Sequence, residues 1–122
     1  MLCSPYARAR QTAELLLEGA HIAPDSLRLR VDERLREKEF GILDRLTHFG
    51  IRQKYPELSE QRAHVGKFYF RPPGGESWCD VALRVRSLLQ DLRFGYDDAR
   101  VWLFTHQAVI MTFRYVLEGL TE

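Results

Sequence analysis

An α/β fold, arranged as a three-layer sandwich with a mainly parallel central sheet between helices, is predicted by three features of the sequence. Short apolar runs alternate along the chain with longer stretches of helical period, the order that produces parallel sheets. The run Val101-Trp102-Leu103-Phe104-Thr105 is apolar almost throughout and stops at His106, as suits a central strand covered on both faces. Ser77 with Asp80 three positions on makes a capping box, which opens the clearest helix of the chain.

Taken in order, Leu2-Cys3 is strand-like, and Ser4-Pro5 reads as a helix start, with Ser as cap and Pro where no amide donor is needed. Ala9, Thr12, Ala13, Leu16, Leu17 and Ala20 then recur at steps of three and four, a buried helical stripe closed by Ala23-Pro24-Asp25. Leu27 to Val31 alternates apolar and basic residues, predicting a short strand with one covered face. Asp32 to Gly41 is charged, broken only by Leu35 and Phe40 and stopped by glycine, and reads as a functional loop. A second helix is expected over Leu46 to Lys54, ending before Pro56. Arg62 to Arg71 has no clean period, and its rings Phe68-Tyr69-Phe70, followed by Pro72-Pro73-Gly74-Gly75, predict an ordered loop.

The capped helix carries Trp78, Val81, Ala82, Val85, Leu88, Leu89 and Leu92 on one stripe and should end near Gly95. Val109, Phe113, Val116, Leu117 and Leu120 trace a last amphipathic helix. Three short strands are too few to bury the apolar faces of four helices on both sides of a sheet. The expectation is therefore that residues 1–122 form one incomplete domain.

Composition narrows the function classes. The 18 basic and 17 acidic side chains nearly cancel, so no global field draws the chain to nucleic acid or an anionic membrane, and any anion site must be local. No apolar run approaches the roughly 20 residues that span a bilayer. Cys3 and Cys79 lack metal-like spacing and read as small hydrophobes rather than a disulfide or zinc pair. The start, Met1 to Pro5, has no basic segment followed by an apolar one, so a cytoplasmic protein without a secretory signal is expected.

Ligands of open α/β sheets sit beyond the carboxyl ends of the strands, where helix N-termini offer free amides to an anion. Arg8, just inside the first helix, and His106, at a strand-to-helix junction, both occupy such places. Alone, Arg8 reads better as a solvated helix arginine, and His106 equally well as a satisfied histidine at a strand end.

Four motifs in sequence change that balance: Ser4-Pro5-Tyr6-Ala7-Arg8-Ala9-Arg10-Gln11-Thr12-Ala13, Leu35-Arg36-Glu37-Lys38-Glu39-Phe40-Gly41, Pro73 to Ser77, and the strand ending at His106. Together they resemble the histidine phosphatase superfamily, the phosphoglycerate-mutase-like proteins. Thr105-His106-Gln107-Ala108-Val109 and Lys67 to Trp78 resemble its fructose-2,6-bisphosphatase branch and broad-specificity relatives. The resemblance implies phosphomonoester hydrolysis by double displacement: a histidine takes the phosphoryl group, a carboxylic acid protonates the leaving oxygen, and water hydrolyses the phosphohistidine.

On that basis Arg8 and His106 are expected to hold the phosphoryl oxygens and Glu37 to be the acid, with Glu39 its rival. Lys67, Glu76 and Gln107 are expected substrate contacts, Glu76 alternatively orienting the pocket or the next helix. The implied substrate is a small phosphomonoester such as a sugar phosphate, and no metal or cofactor is implied. Trp78 departs from the branch, which has a tyrosine associated with sugar recognition at this place, so fructose bisphosphate does not carry over.

The family's nucleophile lies in an R-H-G motif on a first strand, and this sequence contains no R-H-G. His21, His48 and His64 match no such motif. We therefore expect a partial histidine phosphatase domain lacking its N-terminal R-H-G strand, a fragment or product of a misplaced start, without turnover by itself. The alternatives are a non-catalytic phosphate- or sugar-phosphate-binding module, and an interaction domain that completes its sheet with another chain.

Overall fold

The computed structural model describes residues 1–23, 29–96 and 98–121. Strand β1 (Leu2–Cys3) leads to helix α1 (Ala7–Gly19), β2 (Arg30–Val31), short 3₁₀ turns at Glu33–Leu35 and Gly41–Leu43, α2 (His48–Lys54) and α3 (Pro56–Val65). Helix α4 (Trp78–Gly95), β3 (Leu103–Phe104) and α5 (Gln107–Glu118) complete the order. The three strands form one parallel sheet in the order β2-β1-β3.

Side-chain alternation along β1 separates the two faces of the sheet. Leu2 joins Leu35, Val81, Val85, Leu88 and Val109 in the buried core, so this face packs against α4 and α5. Cys3, on the other face and fully buried, lies within the fields of Arg10 and Glu14 of α1. Helices thus flank the sheet in three layers. Both cysteines are free, Cys3 buried and Cys79 half-buried.

The predicted elements are present with instructive differences. Among the described strands, the central one is β1 rather than the apolar run ending at His106. That run supplies only Leu103–Phe104 at an edge of the sheet, half-buried, while both residues of β1 are buried. An apolar run signals burial but not rank in a sheet, because rank depends on which strands pair. Residues 24–28 lie outside the described residues, so of the second predicted strand only Arg30–Val31 is seen as β2; the Pro24-Asp25 turn falls outside as well.

Helix α1 begins two residues later than Ser4-Pro5 suggests, with Tyr6 in the cap position and no side-chain cap. Only the four-residue row Ala9, Ala13, Leu17 is buried, whereas Thr12, Leu16 and Ala20 face outward. In α5, Val109 is buried and Phe113 and Val116 pack on the core, but Leu117, and Leu120 beyond the end of the helix, are exposed. Helix α5 stops because Gly119 turns left-handed, φ 65°, a conformation open to glycine.

Part of the segment read as irregular is helical. Residues 62–65 belong to α3, which starts with Pro56 in its first turn and stops at Gly66 with φ 89°. No residue of α3 is buried, so it has no apolar stripe to read. Helix α2 starts at His48, two residues after the predicted start, with Thr47 Oγ1 accepting from the Gly50 amide.

Two loops are interlocked through backbone. Gly41, φ 55°, lies so close to the loop of Pro72 to Gly75 that a Cβ there would collide with the Pro73 carbonyl oxygen. The Ile42 amide donates to Pro73 O at 3.1 Å and the Glu76 amide to Glu39 O at 2.8 Å. Ser77 then caps α4 as predicted, its Oγ accepting from the Asp80 amide while Asp80 accepts from the Ser77 amide. Ser77→Ala is expected to cost about 0.5–2 kcal/mol of stability in chemical denaturation. Gly41→Ala should cost more, because strain and the collision act together.

Candidate active site

The carboxyl ends of the three parallel strands converge on one place. Ser4 follows β1 directly, His106 follows β3 after Thr105, and Glu37 comes shortly after the turn beyond β2. Parallel pairing continues past the strands, with the Ser4 amide donating to Phe104 O at 2.8 Å and the Asp32 amide to Cys3 O at 2.9 Å. This brings Ser4 Oγ within 2.7 Å of His106 Nε2. Ser4 is fully buried and His106 only 7% exposed. Burial pushes the His106 pKa below its ordinary 6.5, and the Arg8 and Arg84 charges push the same way, against Glu37. A neutral ring results near neutral pH, sharing one proton with the Ser4 hydroxyl in a direction set by the tautomer.

Glu37 is held beside that histidine. Its Oε1 accepts from the Ala108 amide, in the first turn of α5, at 3.2 Å and from the Lys38 amide at 2.9 Å. A carboxylate on exposed helix N-terminal amides is favourably placed with respect to the helix dipole. Thr105 Oγ1 donates to Leu35 O at 2.7 Å and ties the end of β3 to the turn preceding Glu37.

Tyr6 connects the remaining parts. Its ring lies 5.0 Å from the His106 ring, and the Arg8 guanidinium carbon sits 4.8 Å from its centroid. Its hydroxyl donates to Glu39 Oε1 at 2.9 Å. Burial, the Glu39 hydrogen bond and the Glu39 charge raise the Tyr6 pKa against Arg8 and Arg36, so the hydroxyl keeps its proton. Glu39 is half-buried and hydrogen-bonded, whereas Glu33 is exposed.

Glu76 has both oxygens engaged within the protein. Arg84 donates to them at 3.0 and 3.1 Å, the Glu39 amide at 3.0 Å, and Arg36 at 3.4 Å. Burial pushes the Glu76 carboxyl up, but the Arg84 hydrogen bonds, the Glu39 amide and the two arginine charges outweigh it and hold the pKa below its ordinary value. Since Arg84 also donates to Arg34 O at 2.6 Å, Glu76 anchors α4 to the two loops rather than presenting a free carboxylate.

Arg8, Glu37 and His106 are thus gathered at one end of the sheet, with Gln107 exposed as the first residue of α5. Lys67 lies elsewhere. Its ammonium is 5.4 Å from the Trp78 ring, on the wall of an apolar cavity whose lining includes none of Arg8, Glu37 and His106. A second cavity, of about 390 Å³, has His48, Arg52, Arg62 and Lys67 around it. Among the described residues no group of three or more His, Cys, Asp or Glu is placed to hold a metal ion.

Ser4 and Tyr6 are the members of this cluster that reading the sequence misses. The signal for Ser4 is its position directly after an apolar pair and before Pro5, which also fits a helix cap. For Tyr6 there is no local signal, because Glu39 and His106 lie 33 and 100 residues away.

The family model for the histidine phosphatase superfamily, branch 1, matches residues 1–122. A 6-phosphofructo-2-kinase/fructose-2,6-bisphosphatase of Caenorhabditis elegans is 35% identical over 108 residues, covering 88% of this chain and 21% of that protein. A mycobacterial glucosyl-3-phosphoglycerate phosphatase, solved with inorganic phosphate, superposes with TM-score 0.76 at 32% identity, covering 99% of this chain and 59% of that one. Bacillus stearothermophilus YhfR superposes with TM-score 0.78 at 28% identity, over 98% of this chain and 56% of that one. The chain thus spans a fraction of the length of these relatives. Motif order, the meeting of the strand ends at His106 and a match along the full 122 residues agree, and the chain belongs to the histidine phosphatase superfamily.

Proposed function

We propose that this chain forms the phosphate-holding and acid side of a phosphomonoester hydrolase. The observation that carries this reading is the meeting of His106, Ser4, Glu37 and the Arg8 charge beyond the carboxyl ends of the strands. Phosphoryl transfer is chiefly positioning and charge stabilisation, and those are the services such groups can render. Arg8 offers a bidentate fork to the equatorial oxygens, and Tyr6 beneath it limits the orientations its guanidinium samples. With Nε2 accepting from Ser4, which fixes the ring, His106 offers its one N–H, on Nδ1, to the same oxygens. Glu37 protonates the leaving oxygen, and Gln107 adds a contact at the mouth.

The phosphohistidine of the proposed reaction needs a nucleophile that this sequence does not contain as an R-H-G motif. Within this reading, residues 1–122 are a partial domain that binds the phosphoryl group and does not turn it over alone. The similarity to phosphatases supports the chemistry, and the place of Glu37 on the Ala108 amide, two residues from His106, supports Glu37 rather than Glu39 as the acid.

Incubated with p-nitrophenyl phosphate, the purified chain should give neither a burst nor steady product release. Robust turnover abolished by His106→Ala would overturn the inactivity. Calorimetric titration with orthovanadate should show binding that Arg8→Ala weakens roughly 10- to 100-fold, the worth of a charged hydrogen bond; unchanged binding would remove Arg8 from the site.

The depressed His106 pKa also predicts the pH dependence of stability. Because the unfolded chain takes up this proton before the folded one, the contribution of His106 is fully present above about pH 6.5. It is lost as the pH falls through the lower folded value. Denaturation midpoints followed downward from pH 7.5 should fall less steeply in His106→Gln.

A further inference from the structure

Two cavities meet at the end of α3 and share Gly66 and Lys67 in their linings. The first, of about 360 Å³, is walled by the rings of Phe68, Tyr69, Trp78 and Tyr115. Phe68 joins that wall together, its ring centroid 5.2 Å from that of Tyr69 and 5.1 Å from that of Tyr115. Tyr115 and Thr121 also bring hydroxyls to it. The second, of about 390 Å³, is bordered by His48 and Arg52 of α2 and by Ser59 and Arg62 of α3, with no carboxylate in its lining among the described residues. At the junction Gly66 turns with φ 89°, and the place that a Cβ would take is open space, so no side chain of residue 66 divides the two.

The cations around the second cavity are unspent. Arg34, Arg36, Arg71, Arg84 and Arg114 all pair with carboxylates, whereas among the described residues Arg52, Arg62 and Lys67 have no acidic partner. Lys67 instead stands 5.4 Å from the Trp78 ring, at the boundary between the two cavities. Like charges gathered around one space repel, and an anion carrying several charges relieves that repulsion while its oxygens take the guanidinium donors. The ring-walled cavity favours a flat body that can stack. An acyl chain there would leave the Tyr115 and Thr121 hydroxyls without partners, while a heteroaromatic base and its ribose bring donors and acceptors to them. Each volume lies within the roughly 300–1,000 Å³ of small-molecule sites. We propose that the joined cavities bind a nucleoside polyphosphate, with its base among the rings, its phosphates at Arg52 and Arg62, and Lys67 between them. None of Arg8, Glu37 and His106 lines either cavity, so this is a second ligand site, separate from the phosphate site above, and its ligand is an effector rather than the substrate.

Calorimetric titration of the chain with adenosine triphosphate, tripolyphosphate and adenosine, without divalent cations, tests both halves of the site. The nucleotide should bind about tenfold more tightly than tripolyphosphate, the worth of one stacked base, and more tightly than adenosine by at least a similar factor. Arg52→Gln and Arg62→Gln should each weaken the nucleotide and tripolyphosphate about tenfold and leave adenosine unchanged. Trp78→Leu should abolish the preference for the nucleotide over tripolyphosphate. Should that variant fail to fold, Met111→Gln, at a position 44% exposed where folding tolerates a polar side chain, should reduce the same preference. Arg8→Ala should leave nucleotide binding as it is in the parent chain. Binding lost in Arg8→Ala and kept in Arg62→Gln would move the anion to the strand ends and overturn the second site. Tripolyphosphate equal to the nucleotide, or a nucleotide preference that survives in both ring-cavity variants, would overturn the place of the base. Adenosine equal to the nucleotide would overturn the phosphate half, and no heat of binding with any of the three probes would overturn the whole proposal.

Discussion

The parallel pairing of β1 with β3 is the constraint from which the functional end of this molecule is built. Leu2 lies opposite Leu103 and Cys3 opposite Phe104, and the next rung, from the Ser4 amide to Phe104 O, carries the register beyond the strands. That last rung sets Ser4 beside His106, 102 residues away in sequence, and closes the 2.7 Å contact between them. A shift of one residue would turn Ser4 toward the opposite face and Cys3 toward the core of α4 and α5. The register is protected by burial: Leu2 faces one apolar layer and Cys3 the other, and neither can exchange places without exposing or overfilling a layer.

A second constraint places the carboxylates. The loop carrying Glu37 and Glu39 has few apolar side chains of its own, and it is held instead by backbone bonds to the Pro72 to Ser77 loop and by Glu76. The near contact of Gly41 with Pro73 lets these backbones approach, and the Glu76 carboxylate joins the Glu39 amide to Arg84 of α4. An ion pair this enclosed is a costly way to gain stability, because desolvation offsets much of the attraction. Its contribution here is orientation: with Glu39 pinned at its amide, its side chain is free to accept from Tyr6, and Glu37 is directed to the Ala108 amide. Tyr6 in turn spaces Arg8 from His106, so a cation and a neutral imidazole share the site without direct contact of their polar atoms.

What could be read beforehand depended on whether a residue's role is written in local periodicity or chemistry. Helix α4 was legible because Ser77, Asp80 and the stripe from Val81 to Leu92 act within one element. Helix α3 was not, since a helix without a buried face leaves no apolar period, and only Pro56 and Gly66 mark its ends. Arg8, Glu37 and His106 were legible as candidates through motif order, while Ser4 looked like a helix cap and Tyr6 carried no signal of its own. Leu117 and Leu120 kept the period of a buried stripe but remain exposed in the described structure.

By itself the sequence determined the alternation of strands and helices, the capped start of α4, the near-neutral charge that makes anion attraction local, and the motifs around Arg8, Glu37, Glu76 and His106. These follow from interactions a few residues apart, or from residue types whose chemistry does not depend on the fold. Tertiary structure alone decided that β1 rather than β3 is central among the described strands, that Ser4 and Tyr6 serve the histidine, that Glu76 is spent on Arg84 and the loops, and that Lys67 borders a cavity lined with rings. The physical reason is common to all four. Each is settled by which distant segments share the limited buried space and buried hydrogen-bond partners, a competition that exists only once the chain has folded.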